Sequence, residues 1–392
     1  MQVMVDDSKC VEGYDKDNPF LAKITERYLL NAPGGDKETI HCVIDLSGSG
    51  LQYEAGDSIG IYCENDPVIV RQILDALGFT GKEPVMLPKM DEPIDIFTAL
   101  LDKLSLAQPT RKFMEFLKEK EGSLIEREQI RELLLPENKE QLKTYLEERE
   151  YVDLLEEYPS LKVTPQELVD HMRRLVPRMY SIASSPHCYP NEVHLTVAVL
   201  RYKTNQRDRE GVATCYLADR KALNSPSLPI FLSKSHHFRL PEDDSVDVIM
   251  VGPGTGIAPF RAFMQERSYK KASGRNWLFF GERTSQYDYL YSADWGKYLE
   301  EGTLNRLDLA FSRDQAHKIY VQDRMLESAP ELWQWLNKGA YFYVCGDAKR
   351  MAKDVDAALH KICEREGNLS EDEAKAYIRE LKKEKRYVKD VY

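Results

Sequence analysis

The chain has 392 residues, 42% of them hydrophobic and 30% charged, enough apolar material for two or three packed domains and too much for a disordered chain. Its 54 Lys and Arg against 65 Asp and Glu leave a formal charge of -11, which argues against an electrostatic nucleic-acid binder, because such a protein presents a basic face. Seven cysteines, at 10, 42, 63, 188, 215, 345 and 363, form no CxxC pair and are odd in number, so no zinc or other metal site, dithiol motif or disulfide framework is expected.

Residues 1–10 are acidic and lack an apolar stretch, so no signal peptide is expected. Nothing approaches the ~18 consecutive apolar residues that span a bilayer. A cytoplasmic protein without membrane attachment is expected.

Residues 19–63 alternate like strands, with Ile40, Cys42, Ile44 and Leu46 on one face, and a further strand at 58–62 follows the turn at Gly56-Asp57. Gly48-Ser49-Gly50 reads as a hairpin turn. From 66 to about 176 the character changes to Glu, Lys and Leu. Helical spacing shows in Val70, Ile73, Leu74 and Leu77, and prolines at 84, 88, 93, 109, 136, 159 and 165 cut the segment into short helices. This predicts a helical insertion within a β domain. Strand character returns at 178–184 and 193–202, with a closing strand at 229–232. Beyond His236 strands at 246–251, 277–280, 306–311 and 341–345 alternate with helical stretches, the rhythm of a doubly wound parallel sheet.

The strand at 246–251 runs into Gly252-Pro253-Gly254-Thr255-Gly256, and a helix follows. Glycines let the backbone approach a phosphate, and the helix start supplies N–H donors and the positive dipole end. An ordinary strand-to-helix turn is the plain alternative. No acidic residue is read at the end of the next strand, where a ribose 2′-OH would be held. The third strand instead ends in Ser312-Arg313, followed by the run Lys318-Ile319-Tyr320-Val321-Gln322. Hydroxyl, guanidinium and ammonium groups suit a 2′-phosphate, so NADPH rather than NADH is expected. Singly, Arg313 or Lys318 is more often a solvated surface charge.

Arg178-Met179-Tyr180-Ser181 offers a guanidinium for a pyrophosphate, a ring to cover an aromatic and a hydroxyl for a ring nitrogen, although Tyr and Arg alternate on many exposed strands. Gly211-Val212-Ala213-Thr214 opens a helical stretch and is a second phosphate cradle. Two such cradles suggest two nucleotides, which suits electron transfer between NADPH and a flavin.

These motifs, with Tyr343-Val344-Cys345-Gly346-Asp347 and Asp390-Val391-Tyr392, stand in the order found in diflavin reductases. The chain resembles the ferredoxin-NADP reductase-like module of that family. Residues 276–281, Tyr320-Val321-Gln322-Asp323 and the closing Tyr point to its NADPH-sulfite reductase flavoprotein branch. The resemblance implies an antiparallel β-barrel FAD-binding domain at 1–236, with its helical insertion at about 66–176, and an α/β NADP-binding domain at 237–392. It implies FAD contacts from Arg178, Tyr180 and Ser181, from the backbone of Thr196, Val197 and Ala198, from Tyr202, and from Gly211 to Thr214. It implies NADPH contacts from Gly252, Gly254, Thr255, Gly256, Ser312, Arg313, Lys318, Tyr320, Gln322 and Asp354. Ser181, Cys345 and Asp390 match the family's hydride-transfer cluster, and Tyr392 its flavin-covering aromatic.

The family carries a flavodoxin-like FMN domain ahead of this module, and none is read here. The expected partner is therefore an electron-acceptor protein: a separate FMN protein, or a haem or iron–sulfur protein such as a sulfite reductase haemoprotein subunit. Two other readings fit less well. Against a stand-alone NADPH–ferredoxin or flavodoxin reductase stands the insertion. Against a non-catalytic flavin-binding assembly subunit stand Ser181, Cys345 and Asp390.

Overall fold

The computed structural model describes residues 13–392; residues 1–12, with Cys10 and the segment read for a signal peptide, lie outside the described residues. The chain forms two compact units, one of residues 13–61, Met179–Val199 and Lys221–Tyr392, the other of Tyr62–Arg178 and Leu200–Arg220. No described helix is long and apolar enough to cross a membrane.

The strands in chain order are β1 (Phe20–Leu29), β2 (Thr39–Asp45), β3 (Ser58–Ile61), β4 (Pro84–Val85), β5 (Ile94–Asp95), β6 (Arg178–Ser181), β7 (Glu192–Ala198), β8 (Arg201–Thr204), β9 (Arg207–Glu210) and β10 (Leu228–Ser233). There follow β11 (Val248–Val251), β12 (Asn276–Glu282), β13 (Arg306–Phe311), β14 (Tyr341–Gly346) and β15 (Tyr387–Val391). Six of them build an antiparallel sheet in the order β6-β3-β10-β1-β2-β7. Its ends meet where the chain leaving β6 bonds to β7, Ala183 N–H donating to the His194 carbonyl at 2.8 Å. That closure is the expected barrel, and it removes both open edges at that point.

Strand β2 is buried on both faces, where alternation predicts one. Ile40, Cys42 and Ile44 face inward. His41 on the other face is covered by Tyr291, whose hydroxyl lies 2.9 Å from His41 Nδ1 and 2.7 Å from Thr196 Oγ1. Gly48 to Gly50 does turn, with Ser49 N–H donating to the Leu46 carbonyl, but it joins no hairpin: β2 pairs with β1 and β7, whereas β3 pairs with β10 and stands beside β6. The turn chemistry was legible, and the strand exchange across the barrel was not.

The second sheet is parallel, in the order β13-β12-β11-β14-β15. Val248 to Val251 are all buried, as befits a central strand covered on both faces. The order reverses between β11 and β14, so a crevice opens at their carboxyl ends, the place where such sheets bind ligands. Strand β15 lies in a segment for which no strand was expected. Its register, Cys345 opposite Asp390 and Gly346 opposite Val391, comes from pairing with β14 rather than from local pattern.

The helix Ala258–Lys270 is buried from Ala258 to Arg267 on every side. Most of its polar side chains are engaged, although Arg267 bonds through Nη2 alone and its buried Nε and Nη1 have no partner. Arg261 donates to the Ala183 carbonyl (2.9 Å) and to Asp294 (2.7 Å), Gln265 accepts from Ser185 N–H (2.8 Å), and Glu266 accepts from Ser185 Oγ (2.6 Å). This helix thereby pins the chain beyond β6 to the nucleotide-type sheet of the same unit.

The second unit is the expected insertion. Its core gathers Val70, Ile73, Leu100, Phe113, Tyr151 and Leu168 from short helices spread over more than a hundred positions. The expectation at 193–202 ran β7 and the start of β8 into one strand; β8 instead belongs to this unit and pairs with β9 in a hairpin around Asn205-Gln206, both at positive φ. Arg209 on β9 is only 3% exposed and is neutralised by Asp153 and, at 3.1 Å, by Glu150. Asp153→Ala leaves that guanidinium short of a partner. It should cost the unit about 3 kcal/mol, the low end for a broken buried pair because Glu150 remains. Hydrogen exchange over β8 and β9 measures it, and protection unchanged from the parent would contradict the assignment.

Candidate functional site

At the crevice of the parallel sheet, the glycine loop leaves β11 and crosses the carboxyl end of β14. Gly254 adopts a φ of +59, which favours glycine. A Cβ on Gly256 would overlap the Cys345 carbonyl oxygen and lie 2.7 Å from its carbon, so this loop rests directly on the end of β14. Gly252 is equally tight, a Cβ there falling 2.5 Å from the Gly256 carbonyl.

Three of the expected reactive residues meet beside that contact. Ser181 Oγ donates to Asp390 Oδ2 at 2.6 Å, and Cys345 Sγ stands 3.8 Å from the same oxygen. Burial pushes the Cys345 thiol well above its ordinary pKa, and the Asp390 carboxylate adds to the shift. The cysteine is therefore a neutral donor at physiological pH rather than a nucleophilic thiolate. Tyr392 is tied on both sides of its backbone, its N–H to Gly346 and its carbonyl to Ala348 N–H, while its hydroxyl lies 2.8 Å from Thr255 Oγ1. The residue as a whole is nonetheless 63% exposed. An accessible aromatic side chain near Cys345 and Asp390 fits a flat ring system such as an isoalloxazine.

A cavity of about 440 Å³ opens next to the loop. Gly254, Ser312, Tyr320, Val321, Gln322 and Asp354, all named from the sequence, line it. Arg313, Lys318 and Ile319 are not in its lining; Arg313 and Lys318 are exposed and Ile319 packs partly against the sheet. Largely apolar walls with a few polar groups, a glycine mouth and an exposed Tyr320 ring fit the adenosine end of a dinucleotide. Sequence reasoning missed Lys37, Arg283 and Arg350 in this lining. Lys37 comes from the loop after β1, and nothing local marks it.

One expectation is corrected. The strand after the glycine loop does end in an acid: β12 runs two residues past Phe280 to Glu282, which lines the cavity. Its carboxylate is already engaged, by the Lys37 ammonium and by the Arg283 N–H at 2.8 Å. A paired carboxylate does not oppose a phosphate as a free one would.

The remaining flavin candidates divide between the units. In the first, Tyr180 and Ser181 are half-buried and Met179 is exposed on the outer strand β6. Thr196 turns its hydroxyl to Tyr291, Val197 is buried, and Ala198 is exposed. In the second unit are Arg178, exposed at the start of β6, and Tyr202, exposed on β8. There too, Gly211 begins the short helix Val212–Cys215, with Ala213 buried and Thr214 Oγ1 accepting the Leu200 N–H at 3.1 Å. Glu210, Cys215 and Asp219 place ligand atoms within 4.8 Å of one another, but Arg201 occupies both carboxylates.

A closed antiparallel barrel joined to a parallel nucleotide sheet, with a hydroxyl, thiol and carboxylate gathered at the switch point, defines a flavin- and nicotinamide-nucleotide-binding oxidoreductase module. Residues 13–216 match the FAD binding domain family and residues 250–357 the oxidoreductase NAD-binding domain. The chain belongs to the FAD binding domain family, and its cofactors are FAD and NADPH. It is similar to the sulfite reductase [NADPH] flavoprotein alpha-component of Bacillus subtilis (strain 168), with 43% identity over 97% of this chain and 62% of that protein. It is similar also to the protein of that name from Vibrio vulnificus (strain CMCP6), with 44% identity over 97% of this chain and 60% of the relative. The chain thus spans about three-fifths of the length of these relatives.

Gly256→Ala tests the loop contact. The added methyl must push the loop off β14, an overpacking cost of about 1–3 kcal/mol. Binding of 2′,5′-ADP by calorimetry should weaken together with the melting temperature; retention of both would show that the loop can yield there.

Proposed function

We propose that this chain is an NADPH-dependent FAD reductase module that passes electrons to a partner protein, and specifically the flavoprotein part of an assimilatory sulfite reductase. The observation that carries it is the meeting of Ser181, Cys345 and Asp390 beside a glycine loop to which Tyr392 is hydrogen-bonded. The shared name of its relatives supports the sulfite-reducing context. Bound together, the two nucleotides supply the redox chemistry, NADPH yielding two electrons and FAD being able to release them singly.

The chain's own residues supply position. Ser181 and Cys345 both direct their single proton to the Asp390 carboxylate and keep it fixed, so that its remaining acceptor capacity would be held ready for the bound rings with little reorganisation. Tyr392 covers the face that a nicotinamide ring needs and has to move aside for it. In the first unit Tyr180, Ser181 and the backbone of Thr196 to Ala198 serve the flavin. Thr255, Ser312, Tyr320, Gln322 and Asp354 hold NADPH, with Arg313 and Lys318 on its 2′-phosphate. Functionally, FAD binding belongs to 1–236 and NADP binding to 237–392. The electron acceptor is a haem, iron–sulfur or separate FMN protein, such as a sulfite reductase haemoprotein subunit, and the setting is cytoplasmic.

Double replacement of Arg313 and Lys318 by Ala should raise the KM for NADPH and leave that for NADH nearly unchanged, each lost phosphate contact costing about 1.5–3 kcal/mol. Equal use of the two cofactors by the unaltered protein would refute the assignment. Tyr392→Ala should open the ring face and lower the NADPH-to-NADH preference in stopped-flow reduction of the bound FAD. An unchanged ratio would remove Tyr392 from that role.

A further inference from the structure

Two arginines stand side by side at the rim of the nucleotide cavity. Arg313 N–H donates to the Arg283 carbonyl at 2.7 Å, so their side chains leave neighbouring strand ends. Like charges so placed repel, and the pair requires an anion between them. The protein supplies one itself. Asp36 Oδ2 lies 2.9 Å from Arg283 Nη1 and 3.0 Å from Arg313 Nη1, one carboxylate oxygen shared by both guanidinium groups. The arginines hold the Asp36 carboxyl below its ordinary pKa, so it is ionised throughout the working range.

Asp36 does not reach this place by chance of a long side chain. Its loop is docked on the segment that carries Arg283: Asn31 Nδ2 donates to Asp288 at 2.8 Å, Ala32 N–H donates to the Tyr287 carbonyl at 2.8 Å, and the neighbouring Lys37 pairs with Glu282. Gly35 packs so closely on Tyr287 that a Cβ would fall 2.9 Å from the tyrosine Cβ. The loop stays anchored whether or not Arg313 is released, and only the Asp36 side chain has to turn.

We propose that Asp36 is a built-in competitor for the 2′-phosphate of the nucleotide, occupying Arg283 and Arg313 until a phosphate dianion displaces it, and so setting how strongly the site prefers phosphorylated cofactors. This rests on the NADPH reading given above. A carboxylate and a phosphate bind guanidinium in the same forked manner, but the phosphate carries more charge and more acceptor oxygens. A ligand lacking the 2′-phosphate has no group with which to displace Asp36 and gains nothing from its removal.

The test is calorimetric binding of 2′,5′-ADP and of 5′-AMP to the full chain and to its Asp36→Asn variant. The parent should prefer 2′,5′-ADP. The variant should bind it about 3- to 10-fold more tightly, with less than about 2-fold change for 5′-AMP, since exposed pairs are individually weak. In 0.5 M salt the gain should shrink, because all three side chains are solvent-accessible. If the parent discriminates and Asp36→Asn leaves 2′,5′-ADP binding unchanged or weaker, the competitor role is wrong while the NADPH reading stands. If the parent shows no preference at all, the phosphate site itself is wrong and the competitor role goes with it.

Discussion

The close approach of Gly256 to the Cys345 carbonyl is the constraint on which the site depends. With no side chain at 256, the glycine loop lies directly on the end of β14, and the loop's Thr255 is brought to the hydroxyl of Tyr392. The same strand end pairs with β15, which delivers Asp390 opposite Cys345. The steric contact and the strand pairing together bring glycine-loop backbone, thiol, carboxylate and aromatic ring to the end of β14. Parallel pairing fixes the register, since a slip of one residue would turn Asp390 away from the crevice.

The barrel side of the site is positioned through a buried polar seam in the same unit. Arg261, on the helix that begins at the glycine loop, bonds to the Ala183 carbonyl two residues beyond Ser181, and its guanidinium lies over the Tyr291 ring. Tyr291 in turn bridges His41 and Thr196. Burying an arginine is costly unless its donors are matched, and Asp294 and Ala183 match them here. Burial holds the His41 imidazole at a pKa of about 2, so it stays neutral in this seam. A seam of matched polar groups specifies one arrangement more narrowly than an apolar one, because a displaced donor would be left without a partner.

Motif residues were legible in proportion to how local their signal is. Gly252 to Gly256, Ser312, Tyr320 and Gln322 follow strand ends, and a strand-loop-helix rhythm can be read from a short window. The insertion was legible by composition, as were its short helices by their prolines. Lys37, Arg283 and Asp36 were not, because a charged residue in a loop looks the same whether it is solvated or docked on a distant strand. Glu282 was misplaced for a smaller reason: Gly281 resembles a strand's end, and the ladder to β13 carries β12 past it.

By itself the sequence determined the two halves, a β domain with a helical insertion and a parallel sheet, because apolar periodicity and glycine placement are properties of neighbouring residues; the closed barrel was expected only from the family resemblance. It also determined which residue types were available for a nucleotide and a flavin. Only the tertiary structure decided that 387–391 form the strand β15, that β2 is buried on both faces, and that Glu282 and Arg313 meet Lys37 and Asp36. Each of these depends on a partner far away in the chain. The hydrogen bond, burial or ion pair that decides it exists only once the chain has closed on itself.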